Sequence, residues 1–169
     1  MNISSAESQL RIRFYEYTAP TDFLLDMHFD MEIGVVCSGV MQRQYRGWSA
    51  DLSPGQTWLC GMFEPHSCKI VKFPCKVLVA QFSPHLMTGL GEYFSKLFAP
   101  FWLPPGQRSQ ADGAARKEVL RHTLCIESDT QTGKNTLDQN LLHVLRQLRW
   151  RQILKRCGLK GDMLLDPSP

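Results

Sequence analysis

The sequence predicts an α+β fold that is mainly β, with a small antiparallel β-barrel followed by C-terminal helices. Two observations predict it. Short segments of alternating apolar and polar residues, with turn residues at roughly eight- to twelve-residue intervals, run as far as Phe82, as is typical of antiparallel barrels and sandwiches. Beyond Ser83 and Pro84, apolar residues recur at helical spacing instead. At 169 residues and 43% hydrophobic, the chain is long enough for one domain with its own core.

The strands are predicted from the period of two that a half-buried strand requires. Ile12 and Phe14 alternate with polar neighbours in the first strand. A second strand is predicted from the alternation of Ile33, Val35 and Cys37 with their neighbours, ending at Ser38–Gly39. The site residues below are placed on the assumption that the chain is extended over Leu25–Ser38. Five more follow, each bounded by turn residues: Val40–Tyr45, Trp48–Leu52, Thr57–Cys60, His66–Val71 and Lys76–Phe82.

Three helices are predicted after the strands. The first begins at Ser83–Pro84, since serine followed by proline is a common N-cap and first-turn pair. The second spans Ala114–Glu127, and a polar linker, Ser128–Thr136, separates it from the third. The inner side of the second helix is expected to hold Val119, Leu120, Thr123, Leu124 and Ile126. The third helix carries an apolar stripe that suits packing on the barrel or pairing with a second subunit: Leu137, Leu141, Val144, Leu145 and Leu148.

Charge is distributed unevenly along the chain. The net charge is +3, yet residues 139–161 hold six basic residues and no acidic one. Such a segment can face nucleic acid, a membrane or an acidic partner, or form a solvated helix face, and we favour the last. No apolar stretch approaches the roughly 18 residues of a membrane span, and the N-terminus lacks a secretory signal. We therefore expect a cytoplasmic protein without a membrane partner, and six reduced cysteines.

One constellation of side chains carries candidate chemistry. Asp26, His28 and Glu32 share parity, so they would project to the same side of an extended strand, and His66 lies on a later strand. In a closed barrel these four side chains could converge on an interior point. Two carboxylates and two imidazoles suit either a divalent metal or a polar small molecule.

These residues also carry a resemblance to a known family. The motifs are Asp26-x-His28-x-x-x-Glu32 with Gly39 beyond it, Leu52-Ser53-Pro54-Gly55, Pro65-His66 and Phe82-Ser83-Pro84. The sequence resembles the N-terminal cupin-like sensor domain of AraC-type transcription regulators. The resemblance implies a double-stranded β-helix barrel that binds an effector, trailing helices that form a homodimer, and a separate DNA-binding domain with two helix-turn-helix units. It divides the chain into an arm (1–9), a barrel (10–82) and a helical region (83–169) that includes the start of a linker to a DNA-binding domain outside this chain.

The resemblance also assigns candidate site residues. The family's paired histidines, glutamate and downstream histidine correspond to Asp26, His28, Glu32 and His66. Aspartate at the leading position favours an effector site without a bound metal. The resemblance places small, largely apolar residues, Cys68, Val77 and Val79, at the family's pocket positions, with Gln81 as the polar residue on the same strand. Trp58 is either a core residue or a surface on which the ligand stacks.

Three functions follow as hypotheses. The first is an effector-sensing and dimerising domain that controls DNA binding by a domain outside this chain. The alternative is a metal-dependent cupin enzyme, an isomerase or dioxygenase, in which Asp26, His28, Glu32 and His66 hold iron, manganese or zinc. The third is a partner-binding module whose barrel is filled by its own side chains and has no cavity.

Overall fold

A computed structural model describes residues 10–84, 98–108, 110–111, 113–132, 139–140 and 143–144. The predicted mainly-β α+β fold is confirmed: antiparallel strands precede the helical residues. The strands are β1 (Leu10–Tyr17), β2 (Leu24–Asp26), β3 (Met31–Tyr45), β4 (Trp48–Leu52), β5 (Thr57–Cys60) and β6 (His66–Phe82). Two short 3-10 turns follow at Ala99–Trp102 and Pro105–Gln107, and then helix α1 at Gly113–Thr132.

Two long strands, β3 and β6, organise the fold by pairing with each other over most of their length. The first half of β3 and the second half of β6 lie between β5 and β1, which gives one four-stranded layer in the order β1-β6-β3-β5. The opposite halves lie between β4 and β2, which gives a second layer in the order β2-β6-β3-β4. Because β3 and β6 belong to both layers, the two layers are covalently continuous.

The predicted end of a strand at Gly39 is wrong. β3 continues through Gly39 with register shifts between Val36 and Met41, so the glycine marks a bulge where the strand bends from one layer to the other. Its φ of +76° lies in the left-handed region. A Cβ there would come within 2.5 Å of the Lys72 carbonyl oxygen. The predicted break between Val71 and Lys76 is wrong for the matching reason, because β6 bends where β3 does.

The segment Leu25–Ser38, assumed to be extended throughout, is interrupted, because it contains two strands that pair in different layers. β2 adds to β6 with Asp26 opposite His66, whereas β3 starts at Met31 opposite Phe82, in the other layer. The turn between them begins at Asp26, whose Oδ1 accepts a hydrogen bond of 2.7 Å from the Met27 backbone N–H.

Apolar residues form two cores on opposite faces of the first layer. One face packs against α1 and the 3-10 turns, and Ile33, Leu78 and Val119 are among its buried residues. The other face looks toward the second layer, and Val36 and Val77 are buried there. Neighbouring residues of β3 and β6 therefore belong to different cores, as the alternation of a strand requires.

Helix α1 corresponds to the second predicted helix, Ala114–Glu127. It differs from that prediction at its C-terminus and in which residues are buried. It continues to Thr132, so the predicted linker is wrong over 128–132. Leu124, predicted to be inside, is 62% exposed. Thr123, predicted to be inside, is buried. With Thr123 beside them, the other buried residues recur at steps of three and four, which defines one helical face: Ala115, Val119, His122, Ile126 and Asp129.

Several predictions concern residues outside the described ranges. These are the N-terminal arm, most of the first predicted helix, and Leu137, Leu141, Leu145 and Leu148 of the stripe. Val144 is helical and 1% exposed, packed in the core that contains α1. Within the part of the chain that the structure describes, no helix has the length and apolar character needed to cross a membrane.

Candidate functional site

A cavity of about 160 Å³ lies between the two layers of strands. Its size is close to the roughly 150 Å³ of a protein cavity that accommodates benzene. Its wall combines aromatic and aliphatic surface with a few polar groups. The lining residues are Tyr15, Tyr17, Leu24, Asp26, Glu32, Met41, Arg43, Trp58, His66, Cys68, Val77, Val79 and Gln81.

A buried carboxylate, Glu32, is the centre of the polar wall. Its Oε1 accepts hydrogen bonds from Arg43 Nη2 at 2.8 Å and from Trp58 Nε1 at 2.6 Å. Its Oε2 lies 3.2 Å from both His28 Nε2 and Gln81 Nε2. Burial opposes ionisation, but these hydrogen bonds and the Arg43 charge lower the pKa of Glu32 to about 2. We call Glu32 with its four donors the Glu32 cluster.

The strand register explains how these donors reach one carboxylate. Glu32 lies opposite Cys60 on β5 and Gln81 on β6. Two residues along, Gly34 lies opposite Trp58, and the indole occupies the space above the glycine. A Cβ at position 34 would come within 1.9 Å of the Trp58 ring. Glycine at this position therefore lets Trp58 lie across the strand and donate to Glu32.

Arg43 completes the cluster from the second layer. It is 5% exposed, and its guanidinium carbon lies 4.9 Å from the centroid of the Trp58 ring and 5.7 Å from that of Tyr45. Its Nη2 is engaged by Glu32, but the buried Nε has no hydrogen-bond partner among the described residues. An unpaired buried donor costs roughly 1–3 kcal/mol. An acceptor on a bound molecule would remove this cost.

The His28 ring is fixed from both sides. Its Nδ1 lies 2.7 Å from the Asp30 carbonyl oxygen, which can only accept, so Nδ1 carries a proton. Its Nε2 faces the ionised Glu32 and donates only if it is protonated as well. The hydrogen bond to Glu32 raises the pKa of His28, against the opposing effect of burial. The geometry is therefore that of an imidazolium paired with a carboxylate.

His66 has the opposite character. Its Nδ1 lies 2.7 Å from the Glu64 carbonyl oxygen, and its Nε2 lies 4.0 Å from Asp26 Oδ2. Burial and the nearby charge of Arg43 lower the pKa of His66. The ring is thus neutral with its proton on Nδ1, so Nε2 is an acceptor at the cavity wall.

In this arrangement the four residues of the alternative metal set leave few donor atoms open to a metal ion. Each oxygen of Glu32 already accepts two hydrogen bonds, and a doubly protonated His28 has no lone pair to offer. Asp26 and His66 leave two donors, fewer than the three protein ligands of typical catalytic sites. The same contacts weaken the sets Asp26–His28–His66 and Glu32–Cys60–His66, whose ligand atoms lie within 4.8 Å of one another. Burial also raises the pKa of Cys60 to about 12, so it remains a thiol.

The structure brings together the side chains that the sequence singled out. Of the eight predicted ligand-binding residues, seven line the cavity: Asp26, Glu32, Trp58, His66, Cys68, Val79 and Gln81. The eighth, His28, contacts Glu32 rather than the cavity. Sequence reasoning missed Arg43, Tyr15, Tyr17, Leu24 and Met41. Arg43 did carry a signal, because it shares parity with Met41 and Tyr45 on β3.

The fold is that of a cupin-like domain: two antiparallel layers share long strands, and a small-molecule-sized cavity lies between them. Among solved structures, the AraC-like transcriptional activator CuxR is similar over 90% of this chain and 53% of its own, with a TM-score of 0.55 and 11% identity. The predicted resemblance to the cupin-like domain of AraC-type regulators is thereby confirmed at the level of fold. This chain spans about half of the CuxR chain.

Two further solved structures are similar to about half of this chain. A cupin-2 domain protein from Shewanella frigidimarina is similar over 46% of this chain and 74% of its own, with a TM-score of 0.38 and 16% identity. An oxalate decarboxylase from B. subtilis is similar over 46% and 22%, with a TM-score of 0.40 and 15% identity. No protein-family model and no curated protein sequence matches the chain.

Proposed function

We propose that this chain is the effector-sensing domain of an AraC-type transcription regulator and that the effector binds in the cavity between the two layers. One observation carries the proposal: Arg43, buried at the cavity wall, holds its Nε–H without a partner among the described residues. The fold shared with CuxR supports the regulatory class, and the cavity supports a small-molecule ligand. Control of DNA belongs to a domain outside this chain, in a protein of the cytoplasm.

The residues that line the cavity support a particular chemistry for the proposed effector. Tyr15, Tyr17 and Trp58 offer flat aromatic surface, which suits a planar ligand of about one ring. Arg43 offers a charged donor at the cavity wall, while His66 Nε2 offers an acceptor. We expect a small aromatic or cyclic molecule with one hydrogen-bond acceptor, a carbonyl or carboxylate oxygen, and one donor, such as a hydroxyl.

A structural change caused by effector binding can be transmitted to the helices through the strands that contribute residues to both cores. Val77 and Val79 line the cavity, and the intervening Leu78 packs in the core with α1. A hydrogen bond also joins α1 directly to the turn between β4 and β5, because Arg116 Nη2 donates to the Pro54 carbonyl oxygen at 2.7 Å. An effector shifts the arrangement only by the difference in its affinity for the two states.

The experiment is a thermal-shift screen of small aromatic and cyclic acids, amides and alcohols, followed by calorimetry on those that stabilise the chain. Val79→Phe, which fills the cavity, is expected to abolish binding. Val71→Phe is the matched control, since Val71 lies on the same strand but is 49% exposed. Binding that survives Val79→Phe, or a screen in which no compound stabilises the wild type, would overturn the proposal.

The enzyme alternative makes a different prediction. A metal-dependent cupin enzyme would hold a metal that is lost when His66 is replaced, because His66 is the barrel histidine with a free lone pair. The contacts of Glu32 and His28 favour the sensor instead. We expect His66→Ala to leave the metal content of the purified chain unchanged.

Homodimerisation through the third helix remains part of the proposal. Val144 is buried within the single chain, so pairing would use the other residues of the stripe, Leu137, Leu141, Leu145 and Leu148. Sedimentation equilibrium of the wild type and of Leu141→Glu tests this. We expect the wild type to be a dimer and the variant a folded monomer.

A further inference from the structure

A second group of histidines lies outside the barrel, between α1 and the helical residues beyond it. Glu118 and His122 are one turn apart on α1, and His143 lies in the following helical segment. One ligand atom from each of the three lies within 4.8 Å of the others. The rings of His122 and His143 are stacked, with centroids 3.8 Å apart. We call these three residues the His122 cluster.

Hydrogen bonds to the ring fix the tautomer of His122. Asn140 Nδ2 donates to Asp129 Oδ2 at 2.9 Å, so the amide oxygen of Asn140 is turned toward His122. That oxygen lies 3.0 Å from His122 Nδ1 and accepts its proton. The Nε2 atom therefore carries a lone pair directed away from Asn140. A second hydrogen-bonded residue that holds the ring in this way is a regular feature of metal-binding histidines.

A cation already lies between two of the cluster's ligand atoms. Arg121 Nη2 is 2.7 Å from His122 Nε2 and 3.0 Å from Glu118 Oε2. The Arg121 side chain is 57% exposed, so it can swing into solvent without leaving a cavity. The positive charge of the guanidinium marks the position where the two lone pairs converge.

We infer that Glu118, His122 and His143 bind a divalent transition metal, with zinc as the best match. Zinc accepts two imidazole nitrogens and one carboxylate oxygen at about 2.0–2.2 Å, with water as a fourth ligand. Tetrahedral donors at that length lie about 3.4 Å apart. His122 Nε2 and Glu118 Oε2 are 3.9 Å apart, so a small rotation of the half-exposed Glu118 brings these two ligands to zinc distance. Two imidazoles on one tetrahedral zinc have centroids roughly 5 Å apart, so the His143 ring must also swing out of its 3.8 Å stack on His122 to complete the site.

The proposed metal site is separate from the effector cavity, so the domain would respond to a metal ion as well as to the effector. It would cross-link α1 to the segment that carries His143, on the helical side of the first layer. The barrel histidines take no part in it, so its failure and that of the effector proposal are distinguishable.

The test is titration of the untagged full chain with Zn²⁺ by calorimetry and with Co²⁺ by visible absorption. We expect one Co²⁺ with d–d bands and without the charge-transfer bands of cysteine ligands. His143→Ala should weaken binding about a hundredfold or more, as loss of a ligand exceeds the 10–100-fold cost of losing a supporting residue. Glu16→Ala, an exposed acidic residue on β1, is the control and should bind normally.

Arg121→Ala keeps the proposal testable if the histidine variant fails to fold. Because Arg121 competes with the metal for the same lone pairs, its removal should tighten Zn²⁺ binding several-fold. A purely structural cluster would show no such gain. The proposal is overturned if the wild type binds no Zn²⁺, if His143→Ala binds equally well, or if Arg121→Ala binds more weakly.

Discussion

The Glu32 cluster and the His122 cluster are built from the same residue types and have opposite chemistry. Each combines a glutamate, histidine and an arginine in contact. In the barrel, four donors saturate the carboxylate, and the histidine that contacts it is an imidazolium. On α1, a relay through Asn140 leaves the imidazole lone pair exposed to a cation. The surrounding hydrogen bonds, not the residue types, therefore decide whether such a group is a closed ion-pair network or a candidate metal site.

Removing the buried carboxylate of Glu32 should give the largest difference in stability between the two clusters. Glu32→Gln leaves Arg43 charged and buried without a counterion, so we expect a loss of about 3–5 kcal/mol in the free energy of unfolding. Glu118→Gln, in the exposed pair with Arg121, should cost about 0.5 kcal/mol or less. Urea unfolding with a metal chelator present measures both. Similar losses in the two variants would show that the clusters do not differ as described.

Closing the space above Gly34 should have a smaller but still clear effect. Gly34→Ala places a methyl group against the Trp58 ring, so we expect a loss of about 1–3 kcal/mol. The indole N–H resonance of Trp58 should shift as its hydrogen bond to Glu32 breaks. Gly61→Ala is the matched control, since the nearest atom to a Cβ there is at 3.4 Å. An unchanged Trp58 resonance in Gly34→Ala would contradict the role assigned to Gly34.

The two barrel histidines should give opposite dependences of stability on pH. The pKa of His28 is raised above 6.5, so its contribution is full below pH 6.5 and is lost as pH rises through the raised value. The pKa of His66 is lowered, so its neutral ring favours folding above pH 6.5, and this advantage falls as pH drops below it. Unfolding free energies of His28→Gln and His66→Gln, measured against wild type from pH 5 to 8, should therefore diverge in opposite directions.

Much of the site could be predicted because alternation and turn residues constrain a β fold strongly. Glu32, His66, Val79 and Gln81 line the cavity, as the period of two along β3 and β6 predicts. Arg43 was missed because a charged residue on a predicted strand is expected to face solvent. Its burial depends on Glu32 and Trp58, which come from other strands.

The errors in the fold have a similar origin. Gly39 and Pro74 indicate strand ends when each strand is considered alone. They are bends, since β3 and β6 turn together and keep pairing on both sides. On α1, His122 was missed and Leu124 misplaced because apolar character was given more weight than the spacing of three and four residues.

The most direct test of the effector site is the Nε–H resonance of Arg43 in a ¹⁵N–¹H spectrum, assigned by its absence in Arg43→Lys. We expect a compound that stabilises the chain to shift this resonance and slow its exchange with water, because the ligand supplies the missing acceptor. Stabilising compounds that leave the Arg43 resonance unchanged would contradict the proposed effector site.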